Sequence, residues 1–239
     1  MEWAMSKLGT LYRNQGRLTE AKGMFVRAQR GQEMALGPSH ESTLDTAHNL
    51  GILYRYLAKL GEAEDMSLRA LRGREKTLGP DHTATLETLS SLGILYREQG
   101  RLAEAEGVTL QALPRQEKTL GPNHISTLGT VHNLAIIYFD QGRLDEAEVL
   151  WTRALRGREE ALGPDHRSTL MTTSNLAVLY RHQGKLPKAE EMGLQAIQGY
   201  KKALGPNHTA TLSATNNLAV FYYDQGKLTE AEDMLLQTL

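Results

Sequence analysis

Five histidines recur at an interval of 42 residues: His40, His82, His124, His166 and His208. Each stands in one phrase, written "LGPSHESTL", "LGPDHTATL", "LGPNHISTL", "LGPDHRSTL" and "LGPNHTATL". Imidazole at a fixed spacing could ligate a metal or move protons near neutral pH. The spacing argues against both. A constant interval of this length marks a stack of like units. Equivalent atoms in stacked helical units lie on the order of 10 Å apart, whereas metal ligands sit about 2 Å from one ion. Successive histidines therefore cannot share an ion, none stands in His-Glu-x-x-His, and no carboxylate accompanies them regularly. A structural role is expected. The ring packs at the joint between units and hydrogen-bonds backbone at the start of a helix. The preceding Ser39, Asp81, Asn123, Asp165 or Asn207 suits the N-cap. No metal and no cofactor is expected.

Other chemistry leaves no trace. No Gly-x-Gly-x-x-Gly, Walker or Gly-x-Ser-x-Gly motif occurs, so the chain is not expected to be an enzyme. Its net charge of −1 supplies no field for nucleic acid or anionic membranes. The chain has no cysteine, so disulfides and thiolate metal sites are excluded, which fits a reducing, cytoplasmic setting. No signal peptide and no apolar run of membrane-spanning length is present. The sequon at Asn207 reads as a chance match.

The repeating unit explains the phrase. Between Leu78 and Thr119, Leu86, Leu89, Leu92, Gly93 and Tyr96 fall on one face of a helix, A. Gly100 then suits a left-handed C-cap. A second helix, B, opens with Glu104 and Glu106 near its positive end and carries a stripe of Ala105, Val108, Ala112 and Leu113. "LGP" closes it. Neither helix buries its stripe alone, so hairpins must stack. Six are expected, about 1–36, 37–78, 79–120, 121–162, 163–204 and 205–239, as one solenoid of twelve helices without a strand. Its uncapped ends suit a piece of a longer protein. Three positions test this reading. Ala58 takes the place of the C-cap glycine, so it should be left-handed at a cost of about 1 kcal/mol. Pro114, inside a B helix, should kink or break it. Pro187, at the start of one, should be tolerated.

The small and large apolar residues Leu92, Gly93, Tyr96, Ala105 and Ala112, repeated in all six hairpins, resemble the tetratricopeptide repeat (TPR). The period of 42 exceeds the family's usual 34. The wording "NLAxxYxxQGxLxEAE…RAL…LGPDH" resembles kinesin light chain repeats and the C-terminal arrays of fungal NB-ARC (NOD-like) proteins. The resemblance implies an all-α, right-handed superhelix of antiparallel hairpins, whose A helices line a concave groove for an extended protein segment. Carried over by alignment, one groove column holds Lys7, Asn49, Ser91, Asn133, Asn175 and Asn217. A second holds Arg13, Arg55, Arg97, Phe139, Arg181 and Tyr223. Asparagine can pair with peptide backbone through donor and acceptor at once. Arginine can grip a carboxylate, or else pair with Asp45, Glu87 or Glu98. The peptide-binding set expected is thus Lys7, Arg13, Asn49, Arg55, Arg97, Asn133, Asn175, Arg181 and Asn217. His48, His132 and His182 fall on the same face. Basic members crowd the first half, so a ligand acidic at one end would have a direction. Two alternatives stay open: a sensor or autoregulatory region of a larger nucleotide-binding signalling protein, and a module that self-associates through its ends.

Overall fold

The structure, a computed structural model, describes residues 2–236, and among these twelve α-helices and no strand occur. The chain divides into two compact units, Met1–Gly121 and Pro122–Leu239. The first contains α1 (Glu2–Asn14), α2 (Leu18–Leu36), α3 (Glu41–Tyr56), α4 (Leu60–Thr77), α5 (Thr83–Glu98) and α6 (Leu102–Leu120). The second contains α7 (Ile125–Asp140), α8 (Leu144–Leu162), α9 (Arg167–His182), α10 (Leu186–Leu204), α11 (Thr209–Asp224) and α12 (Leu228–Leu236). In each unit every odd-numbered A helix packs on the B helix that follows it, and each B helix packs on the next A helix within the unit. Successive A helices also touch, α1 with α3, α3 with α5 and α9 with α11.

Helix A meets helix B through paired sizes. Gly9 lies against the ring of Phe25, where an added Cβ would come within 2.9 Å. Gly51 and Gly93, the equivalents of Gly9, face the smaller Ser67 and Thr109. Phe25 is fully buried with Ala21, Leu50 and Leu53. In the second unit Trp151, Leu176, Leu179 and Phe221 belong to a larger cluster.

The joint after each A helix is a left-handed cap. Gly16, Gly100, Gly142, Gly184 and Gly226 have φ between 70 and 78°. Ala58 has φ 55° and is the single non-glycine residue with positive φ among the described residues. The expected left-handed alanine is present, and Ala58→Gly is expected to leave stability unchanged or raise it by up to about 1 kcal/mol. The midpoint of urea unfolding checks this. The cap also employs the signature tyrosine. The backbone N–H of the basic residue after the joint donates to the tyrosine carbonyl, as in Arg101 to Tyr96 at 2.9 Å and Arg143 to Tyr138 at 2.8 Å. The same side chains lie over the tyrosine rings, 4.3 and 3.8 Å from the centroids. Joint sequence and signature tyrosine are thus one device.

Two expectations are corrected. The N-cap is the histidine itself, not the residue before it. His40, His82, His124, His166 and His208 each accept through Nδ1 from the backbone N–H two residues on, at 3.1–3.3 Å. The helix begins one residue later than expected, and an imidazole lone pair does what a hydroxyl or carboxylate does elsewhere. This acceptance requires neutral rings protonated at Nε2. Of the kink or break expected at Pro114, the break is absent, because α6 runs through it from Leu102 to Leu120. Proline forfeits one backbone bond there. The buried stripe on both sides, Thr109, Ala112, Leu113 and Gln116, holds the helix together. Pro187 sits in the first turn of α10, as expected.

Candidate protein-binding face

The A-helix face of the first unit contains a polar recess of about 310 Å³. Trp3, Lys7 and Arg13 of α1, Asp45, His48 and Asn49 of α3, Glu87 of α5 and Arg74 of α4 all line it. Three of the expected site residues, Lys7, Arg13 and Asn49, therefore share one concavity. Lys7 is exposed, with its ammonium 5.5 Å from the centre of the Trp3 ring. Arg13 donates to Asn49 Oδ1 at 3.1 Å, and Asn49 Nδ2 donates to the Asp45 carbonyl at 2.9 Å. Half-burial holds the Arg13 pKa below its usual value, and neighbouring Arg55 adds to that. His48 lies under the recess, 4 % exposed, with neither ring nitrogen hydrogen-bonded. Burial and the nearby Arg74 and Arg13 guanidinium groups push its pKa down to about 3. The Glu87 carboxylate, 3.9 Å from Nε2, is mostly exposed and faces a neutral ring.

Outside the recess, the arginine column is engaged between repeats. Arg55, at the end of α3, pairs with Glu98 of α5 at 2.6 Å and lies over the Tyr56 ring. Arg181, at the end of α9, pairs with Asp224 of α11 at 3.4 Å. The salt-bridge alternative is thus realised for Arg55 with Glu98, and Arg181 has a partner of the same kind in Asp224. Arg97 is half-buried in the last turn of α5 and interacts with neighbouring groups. In the second unit Asn133 is half-buried on α7, and Asn175 Nδ2 lies 3.4 Å from His132 Nε2. Asn217 is exposed on α11. With Arg181, Ser174, Val178 and Phe221 it lines a small recess of about 20 Å³, room for a water. Gly193, lying opposite, occupies the position that carries Trp151 one repeat earlier, which opens this space.

Several contributors escape the A-helix columns. Trp3 is 67 % exposed at the recess rim, and Arg74 reaches the recess from a B helix, 3 % exposed. An aromatic with no place on a buried stripe was the signal for Trp3. For Arg74 no comparable signal was read, because its column lies outside the B-helix stripe of Ala105, Val108, Ala112 and Leu113.

Models of the tetratricopeptide repeat match residues 1–76, 59–118, 126–202 and 171–239. The chain belongs to the tetratricopeptide repeat family. Its structure is similar to a kinesin light chain-like protein of Podosopora anserina with nearly identical TPR-like repeats, at 28 % identity and TM-score 0.69, over 84 % of this chain and 94 % of that one. It is also similar to BtubC (BKLC) from P. vanneervenii, at 19 % identity and TM-score 0.74, over 94 and 89 % of the two proteins. A signal transduction ATPase (STAND) from Pyrococcus horikoshii with a tetratricopeptide repeat sensor has TM-score 0.76 at 17 % identity. This chain is covered over 98 % of its length and spans about a third, 34 %, of that protein. No curated protein matches in sequence. Repeats of this family are protein–protein interaction scaffolds, and each of the two units is an all-helical stack of that kind. Among the described residues no helix is long and apolar enough to cross a membrane.

Proposed function

We propose that this chain binds an extended protein segment along its A-helix face, with the asparagine column holding backbone and the basic column favouring acidic residues. The observation that carries this reading is the recess of the first unit. It is open, it places a lysine and an exposed tryptophan beside half-buried Arg13 and Asn49, and its lining charges are only partly matched by one another. A tryptophan at the rim offers a large apolar anchor of the kind that dominates interfaces. Arg13 and Asn49 are preorganised by their mutual hydrogen bond, which lowers the entropy a ligand must forfeit. Arg55 and Arg181 already have carboxylate partners, so a ligand acid would compete with Glu98 or Asp224 there. Their contribution is accordingly smaller than that of Lys7 and Arg13.

The test begins with a pull-down on the protein, followed by peptide mapping of what is retained. The mapped peptide is then titrated into Asn133→Ala/Asn175→Ala. Each backbone pairing contributes about 0.5–1.5 kcal/mol net, so the double variant should bind about tenfold more weakly at an unchanged melting temperature.

A second reading, a sensor region in a larger nucleotide-binding signalling protein, draws on the likeness to the STAND ATPase. A Walker loop in the same gene, upstream of this array, would favour it. The third, self-association, predicts a mass by light scattering that rises with concentration.

A further inference from the structure

One B-helix column separates the repeats more sharply than any A-helix column. It holds Gln32, Arg74, Gln116, Arg158 and Tyr200, all at most 5 % exposed. Arg74 and Arg158 are thus buried cations at the same position of two repeats, one repeat in each unit. Both are held in the same way. Arg74 Nη1 donates to the Ala84 carbonyl at 2.9 Å and to Thr88 Oγ1 at 2.6 Å. Arg158 Nη1 donates to the Ser168 carbonyl at 3.0 Å and to Thr172 Oγ1 at 2.7 Å.

Their counter-charges differ. Arg74 Nη2 donates to Asp45 Oδ1 at 2.5 Å. In the repeat that holds Arg158, the residue that corresponds to Asp45 is Gly129, 29 positions before Arg158 as Asp45 is 29 before Arg74. A Cβ built on Gly129 would meet nothing within 4 Å, so the space is open. Among the described residues no carboxylate pairs with Arg158, its Nη2 makes no hydrogen bond, and its buried Nε has no partner. A buried ion without a counter-charge is costly. Burial alone pulls its pKa down to about 10, so it is still a cation at neutral pH. Thr172 and His132, whose Nδ1 lies 3.3 Å from the Thr172 hydroxyl, form the polar wall beside it.

We propose that Arg158 and the open position at Gly129 form a receptor site for one side-chain carboxylate, aspartate or glutamate, of a bound protein segment. That carboxylate fills the place Asp45 fills beside Arg74. Arrival on a protein segment rests on the function proposed above, whereas the carboxylate site itself does not. The first unit supplies its own anion, so the second unit alone is receptive.

Arginine side-chain resonances of the isotopically labelled protein, followed at neutral pH by NMR, test this directly. Sodium acetate, standing for an aspartate side chain, is titrated against sodium chloride at equal ionic strength. The Arg158 guanidinium signal should shift and saturate with acetate, while that of Arg74 stays still. N-acetylglycine, standing for the terminal carboxylate of a polypeptide, should act more weakly. Gly129→Asp should abolish the acetate response and raise the melting temperature by about 2–4 °C. Asp45→Gly should transfer the response to Arg74, which keeps the test decisive should Gly129→Asp fail to fold. A silent Arg158 in the folded wild type, an equal shift at both arginines, or an equal response to chloride would overturn the proposal. A stronger response to N-acetylglycine would overturn its assignment to a side chain. None of these readouts involves Asn133 or Asn175, so failure here is distinguishable from failure of peptide binding there.

Discussion

As pH falls from about 6.5 to about 3, the protein should lose stability at up to about 1.4 kcal/mol per pH unit through His48 alone. The unfolded chain protonates this imidazole near its ordinary value, whereas the folded chain holds it neutral down to about 3. Between those values the unfolded state binds more protons, so stability rises with pH and falls with acid. The charged groups around the ring are Arg13 from α1, Arg74 from α4 and Glu87 from α5. The two cations oppose protonation, and the exposed carboxylate is too far away to offset them. His48→Gln keeps a polar side chain of similar reach and removes the titration. Urea unfolding of both proteins at several pH values should give a shallower acid slope for the variant. Parallel slopes would mean that carboxylates such as Glu33, whose hydrogen bonds with Gln29 and Arg69 hold its pKa low, account for all of it.

Phe25→Ala should destabilise the protein by about 3–5 kcal/mol, the range for a fully buried phenylalanine. The ring is packed against Gly9 on one side and the Leu50–Leu53 cluster on the other. Gly9→Ala should cost about 1–3 kcal/mol, because its methyl carbon would press into the ring at 2.9 Å. The two changes are coupled. With the ring removed, the added methyl has room, and the double variant should be less unstable than the sum of the singles. Additive losses would show that Gly9 is small for some other reason.

The sequence carried the hairpins because their signals are local. A 3.6-residue apolar stripe, a left-handed cap and a proline after it all lie within one unit, and Ala58 could be read as left-handed from its register alone. The N-cap assignment missed by one residue, since propensity favours Ser39 or Asp81 and is silent on a ring nitrogen. The break read as one outcome at Pro114 did not follow, because that local penalty was weighed without the packing of Ala112 and Leu113. The ladder from Arg55 to Glu98 joins residues 43 apart, and the pairing of Arg74 with Asp45 joins residues 29 apart. The first was an alternative the aligned columns already offered, whereas the second requires the stack itself before it can be seen. Arg158 stayed hidden for the same reason, because its distinction is a carboxylate that Gly129 does not supply.

The claim that the A-helix face binds protein is tested most directly by calorimetric titration of the mapped peptide into the wild type and into Asn133→Ala/Asn175→Ala, at low and at high salt. A loss of about tenfold in affinity is expected at both salt concentrations, because neutral hydrogen bonds are little screened, unlike those of Lys7 and Arg13. Equal affinity of the two proteins at an unchanged melting temperature would contradict the role given to the asparagine column on this face.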